Sequence, residues 1–259
     1  MYRCSPEFLN ILSSKIDPES LHRDGHNSPP ILFSTNRLAD ELNTERLESL
    51  EGKKTNFEAL DKGQVELLSG LSIPAKVSLK VGARVLVMAN NKKLGLTKGM
   101  FGKVVSISGN QTVLLKLSSG GSKIVPRQDF HVEYNGEILA TRNQLPLILA
   151  WGITIHKSQG LEFNEVIVDL SSCFQDGQGY TALSRVKSLD GLTLLGLNRN
   201  SIRASEKALE YEASAACGTY TLTSVCLSVC LSVSLLSLQF VWCMIQCLWV
   251  CCQVIHPHV

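Results

Sequence analysis

The chain has 259 residues, of which 44% are hydrophobic, and its 25 Lys and Arg against 23 Asp and Glu give a formal net charge of +2. This length allows one large domain or two small ones, and the charge balance excludes a uniformly basic protein, so any basic surface must be local. Cys4 and Cys173 are the only cysteines before residue 213, which excludes a disulfide scaffold there and fits a reducing compartment. The first twenty residues carry several charges and no uninterrupted apolar core, which argues against a secretory signal peptide.

The amino-terminal part of the chain predicts a strand followed by a helix. A short helix is expected at 7–15, and a polar loop then ends in Pro29-Pro30. The apolar run Ile31-Leu32-Phe33 is typical of a buried strand, and Ser34-Thr35-Asn36 supplies residue types that cap helices. Leucines at helical spacing then predict a helix that ends before Gly52, which completes a βα unit of an α/β fold.

Residues 73–140 are predicted to be rich in short strands. Strands are expected at 80–88, 102–107, 112–117 and 123–125, with a hairpin turn at Ser118-Ser119-Gly120-Gly121. Strands this short and this close together indicate a small all-β barrel of Src-homology-3-like size.

The α/β pattern returns after residue 143. The segment 145–155 is almost continuously apolar, and Val166-Ile167-Val168 is a second buried strand closed by Asp169. A helix is expected to begin in 179–186, and a last strand is expected at 192–197. The β-rich region therefore interrupts one α/β domain.

A polar run at 154–163 follows the apolar segment. Ligands bind at the carboxyl ends of strands in open α/β sheets, which makes this run a candidate site. His156 and Lys157 can donate to phosphate oxygens, Gly160 lets the backbone approach a ligand, and Glu162 can accept from ribose hydroxyls. The alternative is a solvated loop whose polar groups satisfy one another.

Arg185 is the second candidate. It is expected on a helix whose apolar face includes Tyr180, Leu183 and Val186. A guanidinium held on a rigid helix can reach a phosphoryl group, as an arginine finger does, with an effect of roughly 10³–10⁵ in rate. The alternative is an ion pair with an acid such as Asp169 or Asp190.

The two candidate segments together resemble the Pif-type (petite integration frequency) helicases of superfamily 1. The resemblance covers about residues 4–212, with nearly all its specificity in 144–192, where the segments look like helicase motifs V and VI. The matching residues are Gln144-Leu145-Pro146-Leu147, Ala150-Trp151, Ile155-His156-Lys157-Ser158-Gln159-Gly160, Gly177-Gln178, Ala182-Leu183-Ser184-Arg185 and Ser188-Leu189-Asp190-Gly191-Leu192. A weaker match to motif IV runs from Ser34-Thr35-Asn36 through Asn43, and Lys80–Val85 with Lys98–Gly102 resembles the β barrel that this family inserts.

The resemblance implies an ATP-dependent 5′-to-3′ DNA helicase. Such enzymes act in DNA replication, repair, recombination and telomere or genome maintenance, on single-stranded DNA and on duplex or G-quadruplex junctions. By resemblance, Arg185 is the catalytic arginine finger, and Gln159, Gly160, Glu162 and Arg185 contact the nucleotide. The residues implied to contact single-stranded DNA are Thr35, Asn36, Thr154, His156 and Lys157. Many family members have Thr where this chain has Glu162, which leaves the ribose contact open.

The implied fold is a RecA-like second motor domain interrupted by a Src-homology-3-like barrel. We expect residues 1–30 to be a remnant of the first motor domain or a linker, and 31–72 and 141–212 to form the second motor domain. Residues 73–140 would be the inserted barrel, and 213–259 an apolar, Cys-rich tail that is disordered or helical. The expected protein is a monomer in the nucleus, the mitochondrion or both.

The motifs that hold triphosphate and Mg²⁺ are not found in this sequence. It contains no Gly-x-x-x-x-Gly-Lys-Ser/Thr, and no predicted strand ends in paired acids. In the family these parts lie in the first motor domain, which would bind most of the ATP and Mg²⁺. We therefore expect a carboxy-terminal fragment from an internal start or a truncated gene, with no ATPase or helicase activity alone.

The tail differs from the rest of the chain. Residues 213–259 contain no Asp, Glu, Lys or Arg and hold seven of the nine Cys. The stretch 221–255 exceeds the roughly 20 apolar residues that span a bilayer, which permits a membrane anchor. Its four-residue Cys-Leu-Ser-Val period matches a translated TGTC repeat, so read-through into non-coding sequence is the favoured interpretation.

The Cys spacing of four at 243, 247 and 251 does not fit a closed zinc site, so no metal site is predicted.

Two other functions remain open at this point. One is a non-catalytic module that binds single-stranded nucleic acid through backbone charge and base stacking. The other is a tail-anchored membrane protein of unrelated function, which only the apolar tail supports.

Overall fold

The computed structural model describes residues 6–22, 28–109 and 111–203, so every expectation about the 213–259 tail lies outside the described residues. The chain divides into two compact units, one of Gly25–Leu161 and one of Met1–Asp24 with Glu162–Val259. The described helices are α1 (Pro6–Ser13), α2 (Asn36–Ser49) and α3 (Gln178–Leu183). The described strands are β1 (Ile31–Phe33), β2 (Thr55–Glu58), β3 (Leu60–Gly63), β4 (Lys76–Leu79), β5 (Arg84–Val87), β6 (Phe101–Ser108), β7 (Thr112–Leu117), β8 (Ser122–Pro126), β9 (Gln128–Tyr134), β10 (Glu137–Gln144), β11 (Leu147–Leu149), β12 (Gly152–Thr154), β13 (Val166–Leu170) and β14 (Leu192–Leu197).

The predicted βα unit is confirmed in the unit formed by 25–161. β1 pairs in parallel with β12, so that Ile31 lies beside Gly152 and Phe33 beside Thr154. α2 packs against both strands and buries Ala39, Leu42 and Leu47, the apolar stripe seen in the sequence. Thr35 is the residue that caps α2, but its side chain makes no capping hydrogen bond, so the predicted cap chemistry is wrong in that respect.

The β-rich part of this unit consists of antiparallel strands. β5, β6, β7 and β8 form consecutive pairs, and β11 joins the sheet beside β5. The predicted hairpin turn at 118–121 connects β7 and β8, and Gly120 and Gly121 both have positive φ there. The sheet packs around one apolar core, which includes Phe57, Leu79, Val85, Val104, Val113, Leu115, Leu145 and Leu147.

One predicted strand is shorter than expected, and one apolar segment is divided between two strands. The strand expected at 80–88, opening near Gly82, is β5, which begins at Arg84 after the chain turns at Gly82, whose φ is +91°. The segment 145–155 forms β11 and β12, which belong to different sheets, since β11 pairs with β5 and β12 with β1. β11 and β12 are both largely buried, so the hydrophobic pattern alone could not reveal the break between them.

Strand pairing extends the β-rich region beyond the predicted bounds 73–140. β2 pairs with β4, β3 pairs with β10, and β10 itself crosses residue 140. Arg142 on β10 forms a two-pronged contact with Asp61 on β3, at 2.9 and 2.7 Å, and donates to the Ile73 carbonyl at 2.9 Å. Local sequence patterns cannot predict the pairing of β3 with β10, because the two strands are far apart in the sequence.

The described residues of the other unit include a parallel strand pair and the helices α1 and α3. β13 pairs in parallel with β14, and both lie where apolar runs predicted them. The end of α1 is tied to β14, because Leu194 N donates to Lys15 O at 2.9 Å and Asp17 N donates to Leu194 O at 2.8 Å. In the described residues, no helix is long and apolar enough to cross a membrane.

α3 is shorter than the helix expected in 179–186. It ends at Leu183, where Ser184 Oγ donates to Thr181 O at 2.9 Å. Val186 is instead extended and bridges to Phe163. A serine that bonds the backbone three residues back and a following strand-like contact together end the helix.

Candidate functional site

Five candidate DNA contacts meet at one end of the β1–β12 pair. Phe33 lies beside Thr154, and Ile155 N donates to Phe33 O at 2.9 Å, so both strands end together. The start of α2, with Thr35 and Asn36, follows β1 directly. His156 and Lys157 follow β12 at the same edge, as the parallel arrangement requires. The structure therefore brings Thr35, Asn36, Thr154, His156 and Lys157 to one edge.

The backbone of the turn 155–160 is held by Ser158 and Thr154. Ser158 is fully buried, its N donates to Thr154 O at 3.0 Å, and its Oγ donates to Ile155 O at 2.7 Å. Thr154 Oγ1 accepts weakly from Lys157 N at 3.4 Å. The side chains of His156 and Gln159 take no part in these bonds and are exposed. The sequence pattern gave no specific role to Ser158. In the structure its hydrogen bonds stabilise this turn.

Thr35 and Gly160 each present polar backbone or side-chain groups at this site. The Thr35 hydroxyl oxygen is buried and has no hydrogen-bond partner among the described residues. A buried hydroxyl without a partner is uncommon in native structures. Gly160 has φ +76°, and no atom lies within 4 Å of the place a Cβ would occupy, so conformation rather than space requires glycine here. Its exposed backbone is open to close approach by a ligand.

Glu162 and Arg185 lie on neighbouring chain segments of the other unit. Phe163 N donates to Arg185 O at 2.8 Å, and Lys187 N donates to Phe163 O at 3.0 Å. This short parallel bridge places Glu162 next to the segment that carries Arg185. The Glu162 carboxylate lies 4.0 Å from Lys187 Nζ, and because both side chains are largely exposed this ion pair is weak.

Arg185 does not lie on a helix, which corrects the sequence expectation. It occupies the turn after α3, where its Nε donates to Thr181 O at 3.0 Å and its Nη2 donates to Ser184 Oγ at 2.7 Å. The last turn of α3 thus orients the guanidinium by hydrogen bonds. The two acids considered as partners have other contacts: Asp169 accepts from Ser171 N and Oγ, and Asp190 lies 3.9 Å from Lys15.

The balanced net charge hides a strongly basic segment. From Leu67 to Gln128 the chain has ten Lys or Arg residues and no Asp or Glu. On three adjacent strands, Arg84 lies opposite Lys103, and Lys103 lies opposite Lys116. Arg84 lies 5.2 Å from the centre of the Phe101 ring, and burial lowers its pKa to about 10. Like charges placed opposite each other destabilise a sheet, and the Arg84 guanidinium is held by a hydrogen bond to the Ser28 carbonyl and by the Phe101 ring.

The described residues contain no group of three or more His, Cys, Asp or Glu side chains that could hold a metal ion. The chemistry of both candidate clusters is instead that of hydrogen-bond donors and cations. Such groups bind phosphate oxygens directly.

No protein-family model matches the chain. The human ATP-dependent DNA helicase PIF1 is 34% identical over 223 residues, which cover 83% of this chain and 34% of the human protein. The ATP-dependent DNA helicase Pif1 of a Psychrobacter strain is 32% identical over 227 residues, which cover 66% of this chain and 34% of that protein. The chain thus spans about a third of the length of these curated relatives.

Solved structures give the same assignment. A Bacteroides Pif1 in complex with ADP-AlF4 aligns with a TM-score of 0.67 and 25% identity, over 82% of this chain and 50% of that one. A Bacteroides Pif1 bound to single-stranded DNA aligns with a TM-score of 0.61 and 25% identity, over 83% of this chain and 55% of that one. The mixed α/β fold with a parallel sheet is similar to that of these DNA helicase structures. The chain belongs to the Pif1 helicase family.

Proposed function

We propose that this chain contributes the second, RecA-like motor domain of an ATP-dependent DNA helicase that moves 5′ to 3′ along single-stranded DNA. One observation carries the proposal: two parallel strands end together and bring five predicted DNA contacts to a single edge. The relatives named as ATP-dependent DNA helicases support it, as do the related structures that contain ADP-AlF4 or single-stranded DNA.

In this proposal the β1–β12 edge contacts the sugar-phosphate backbone of one strand. Lys157 and His156 supply donors to phosphate oxygens, and Thr35 and Thr154 supply hydroxyl groups. Asn36 lies at the first turn of α2, where backbone N–H groups also favour anions. Contacts of this type carry no base specificity, as a motor that moves along any sequence requires.

The nucleotide contacts are assigned to Gln159, Gly160, Glu162 and Arg185. The guanidinium of Arg185, held by Thr181 and Ser184, supplies positive charge to a phosphoryl group. ATP and Mg²⁺ are held mainly by the first motor domain, whose phosphate-binding motif is not found in this sequence. Glu162 offers a carboxylate suited to ribose hydroxyls.

The proposed domain organisation places an inserted Src-homology-3-like barrel around residues 73–140, within a second motor domain formed by 31–72 and 141–212. The antiparallel sheet of β5 to β8 supports the insert. The biological setting that we propose is DNA replication, repair, recombination and telomere maintenance in the nucleus or mitochondrion, including work at G-quadruplex junctions. The protein acts as a monomer in this proposal.

A second candidate function is binding of single-stranded nucleic acid without ATP turnover. The acid-free stretch from Leu67 to Gln128 favours it, because phosphate binding needs only clustered cations. The two functions share the DNA edge and differ in whether Arg185 acts on a nucleotide.

The DNA-binding part of the proposal is tested by fluorescence anisotropy of the full chain with a labelled oligo-thymidylate across a salt titration. We expect affinity to fall with salt, and Lys157→Gln to make the slope of log K against log salt less steep by about 0.7, the value for one lost phosphate contact on a single strand. Lys53→Gln, which removes an exposed cation away from this edge, should leave the slope unchanged. Absence of binding at low salt would refute the proposed function.

A further inference from the structure

Asn43 on α2 hydrogen-bonds to the backbone of β12 with both ends of its amide. Its Nδ2 donates to Gly152 O at 2.8 Å, and its Oδ1 accepts from Gly152 N at 2.9 Å and from Trp151 N at 3.2 Å. The side chain is buried, with 7% of the residue's surface exposed. Because this buried amide makes three hydrogen bonds to the backbone at Trp151 and Gly152, it fixes α2 to the start of β12.

The Asn43 amide takes the place of a neighbouring strand. Trp151 O accepts from Ile31 N at 2.8 Å and Ile155 N donates to Phe33 O at 2.9 Å, so these groups point toward β1. Because backbone groups alternate in direction along a strand, N–H and C=O of Gly152 point away from β1. The Asn43 amide offers one donor and one acceptor in the arrangement that a paired strand residue would offer.

Close packing at Gly152 reinforces the joint. A Cβ on Gly152 would lie 3.1 Å from both Cα and O of Ala39, which lies one helical turn before Asn43 on α2. Glycine at position 152 therefore lets α2 and β12 approach closely enough for the Asn43 amide to reach the Gly152 backbone. Ala39, Asn43 and Gly152 form what we call the Asn43 clasp.

We propose that Asn43 is a positioning residue for the single-stranded DNA edge, an inference that rests on the proposed function. α2 carries Thr35 and Asn36 at its start, and β12 leads directly into Thr154, His156 and Lys157. The clasp fixes α2 to β12 two residues before Thr154, so it sets the spacing between the two groups of contacts. Asn43 acts through these residues and does not itself contact the DNA.

The test compares Asn43→Ala with Asn91→Ala in the full chain. Asn91 is a matched control, because its side chain also accepts a backbone bond, from Leu94 N at 3.3 Å, but at a turn of the β-rich region. Binding of labelled oligo-thymidylate is measured across a salt titration, together with the active fraction by stoichiometric titration. Thermal unfolding of each variant verifies that it folds.

We expect Asn43→Ala to weaken binding about tenfold and to make the salt slope less steep by about 0.7 or more, since at least one phosphate contact loses its place. Asn91→Ala should stay within about twofold of the wild type. A purely structural role would lower the active fraction and leave affinity and slope of the remaining molecules unchanged, and that outcome overturns the inference. Wild-type affinity and slope in a folded Asn43→Ala variant overturn it too.

Asn43→Asp keeps the inference testable where the alanine variant does not fold. Its carboxylate can still accept from Trp151 N and Gly152 N, but it faces Gly152 O without a proton to donate. We expect weak binding at pH 8 that recovers toward the wild type as the pH falls to 5.5, because the protonated carboxyl donates again. Each value is compared with wild type at the same pH, so that any pH dependence shared by the two proteins cancels. If the ratio of the variant's DNA affinity to that of the wild type does not change with pH, the inference about the Asn43 clasp is wrong. If the wild type binds no DNA, the proposed function itself is wrong.

Discussion

Gly179 and Gly191 are required by contacts with backbone carbonyls. A Cβ on Gly191 would lie 1.8 Å from Asn164 O, and one on Gly179 would lie 2.4 Å from Ser201 O. Neither glycine has a positive φ, so space rather than conformation excludes a side chain. These two residues flank Arg185 in sequence, and their contacts fix the backbone on both sides of it.

Gly191→Ala is expected to destabilise the protein by about 2–3 kcal/mol, because the added methyl group must displace main-chain atoms rather than a flexible side chain. Urea unfolding followed by fluorescence gives the change in midpoint. Gly70→Ala is the matched control, since no atom lies within 4 Å of its Cβ position and its φ is not positive. Equal midpoints for the two variants would show that the segment near Asn164 moves freely.

At the scale of elements, the ion pair between Arg142 and Asp61 joins β3 to β10. The exposed fractions of the two side chains are 9% and 18%, and hydrogen bonds from Arg142 hold the pKa of Asp61 below its usual range. A carboxyl whose pKa is lowered in the folded state stabilises that state above its unfolded pKa of about 3.9. This contribution is lost as the pH falls through the lower folded pKa.

Asp61→Asn should therefore lower the free energy of unfolding by about 2 kcal/mol at pH 7, because the buried guanidinium loses its charged partner. The difference from wild type should shrink as the pH falls from about 4 through the lower pKa of Asp61 in the folded state, below which the wild-type carboxyl is also neutral. Urea unfolding of both proteins at a series of pH values measures this difference in the free energy of unfolding.

Glu58→Gln is the control for this prediction. It removes one partner of an exposed ion pair with Lys76, at 3.4 Å, and should cost less than about 1 kcal/mol. A difference between Asp61→Asn and wild type that stays constant down to pH 2 would mean that the carboxyl acts through packing alone.

Local sequence patterns were sufficient for strands whose burial is either continuous or alternating. β1, β7 and β14 were predicted with their observed bounds because each is a short apolar or alternating run between polar turns. β2, β3, β9 and β10 were not predicted, since they are polar and half-exposed and form through pairing with distant strands. The same limit explains the missed division between β11 and β12.

The candidate site was predictable in its residues but not in its supports. The edge at 154–160 follows from an apolar strand that ends in polar residues, a purely local signal. The bond from Asn43 to Gly152 joins residues 109 positions apart, and nothing in the sequence around Asn43 indicates a partner. The end of α3 before Arg185 depends on a bridge to Phe163, which is equally non-local.

At the scale of the whole molecule, charge is segregated along the chain. The acid-free stretch between Leu67 and Gln128 includes β5 to β8, while α2 carries four acids, Asp40, Glu41, Glu45 and Glu48. A net charge of +2 therefore hides a basic segment, in which Lys76 pairs with Glu58 and Lys80 with Glu48. Composition averages could exclude a uniformly basic protein but could not locate this region.

The proposed motor role predicts no ATP turnover by the chain alone, because its 259 residues contain no Gly-x-x-x-x-Gly-Lys-Ser/Thr segment to hold triphosphate. Joined to the part of the human relative that lies outside the match, the chain should hydrolyse ATP when single-stranded DNA is added. Arg185→Gln should reduce this turnover about 10³-fold, since the phosphoryl group loses its guanidinium. Arg203→Gln is the control, because Arg203 is a half-exposed arginine of the same unit that pairs with Asp176 at 2.6 Å. Coupled-enzyme assays measure the rates, and equal turnover by the two variants would exclude Arg185 as the arginine finger.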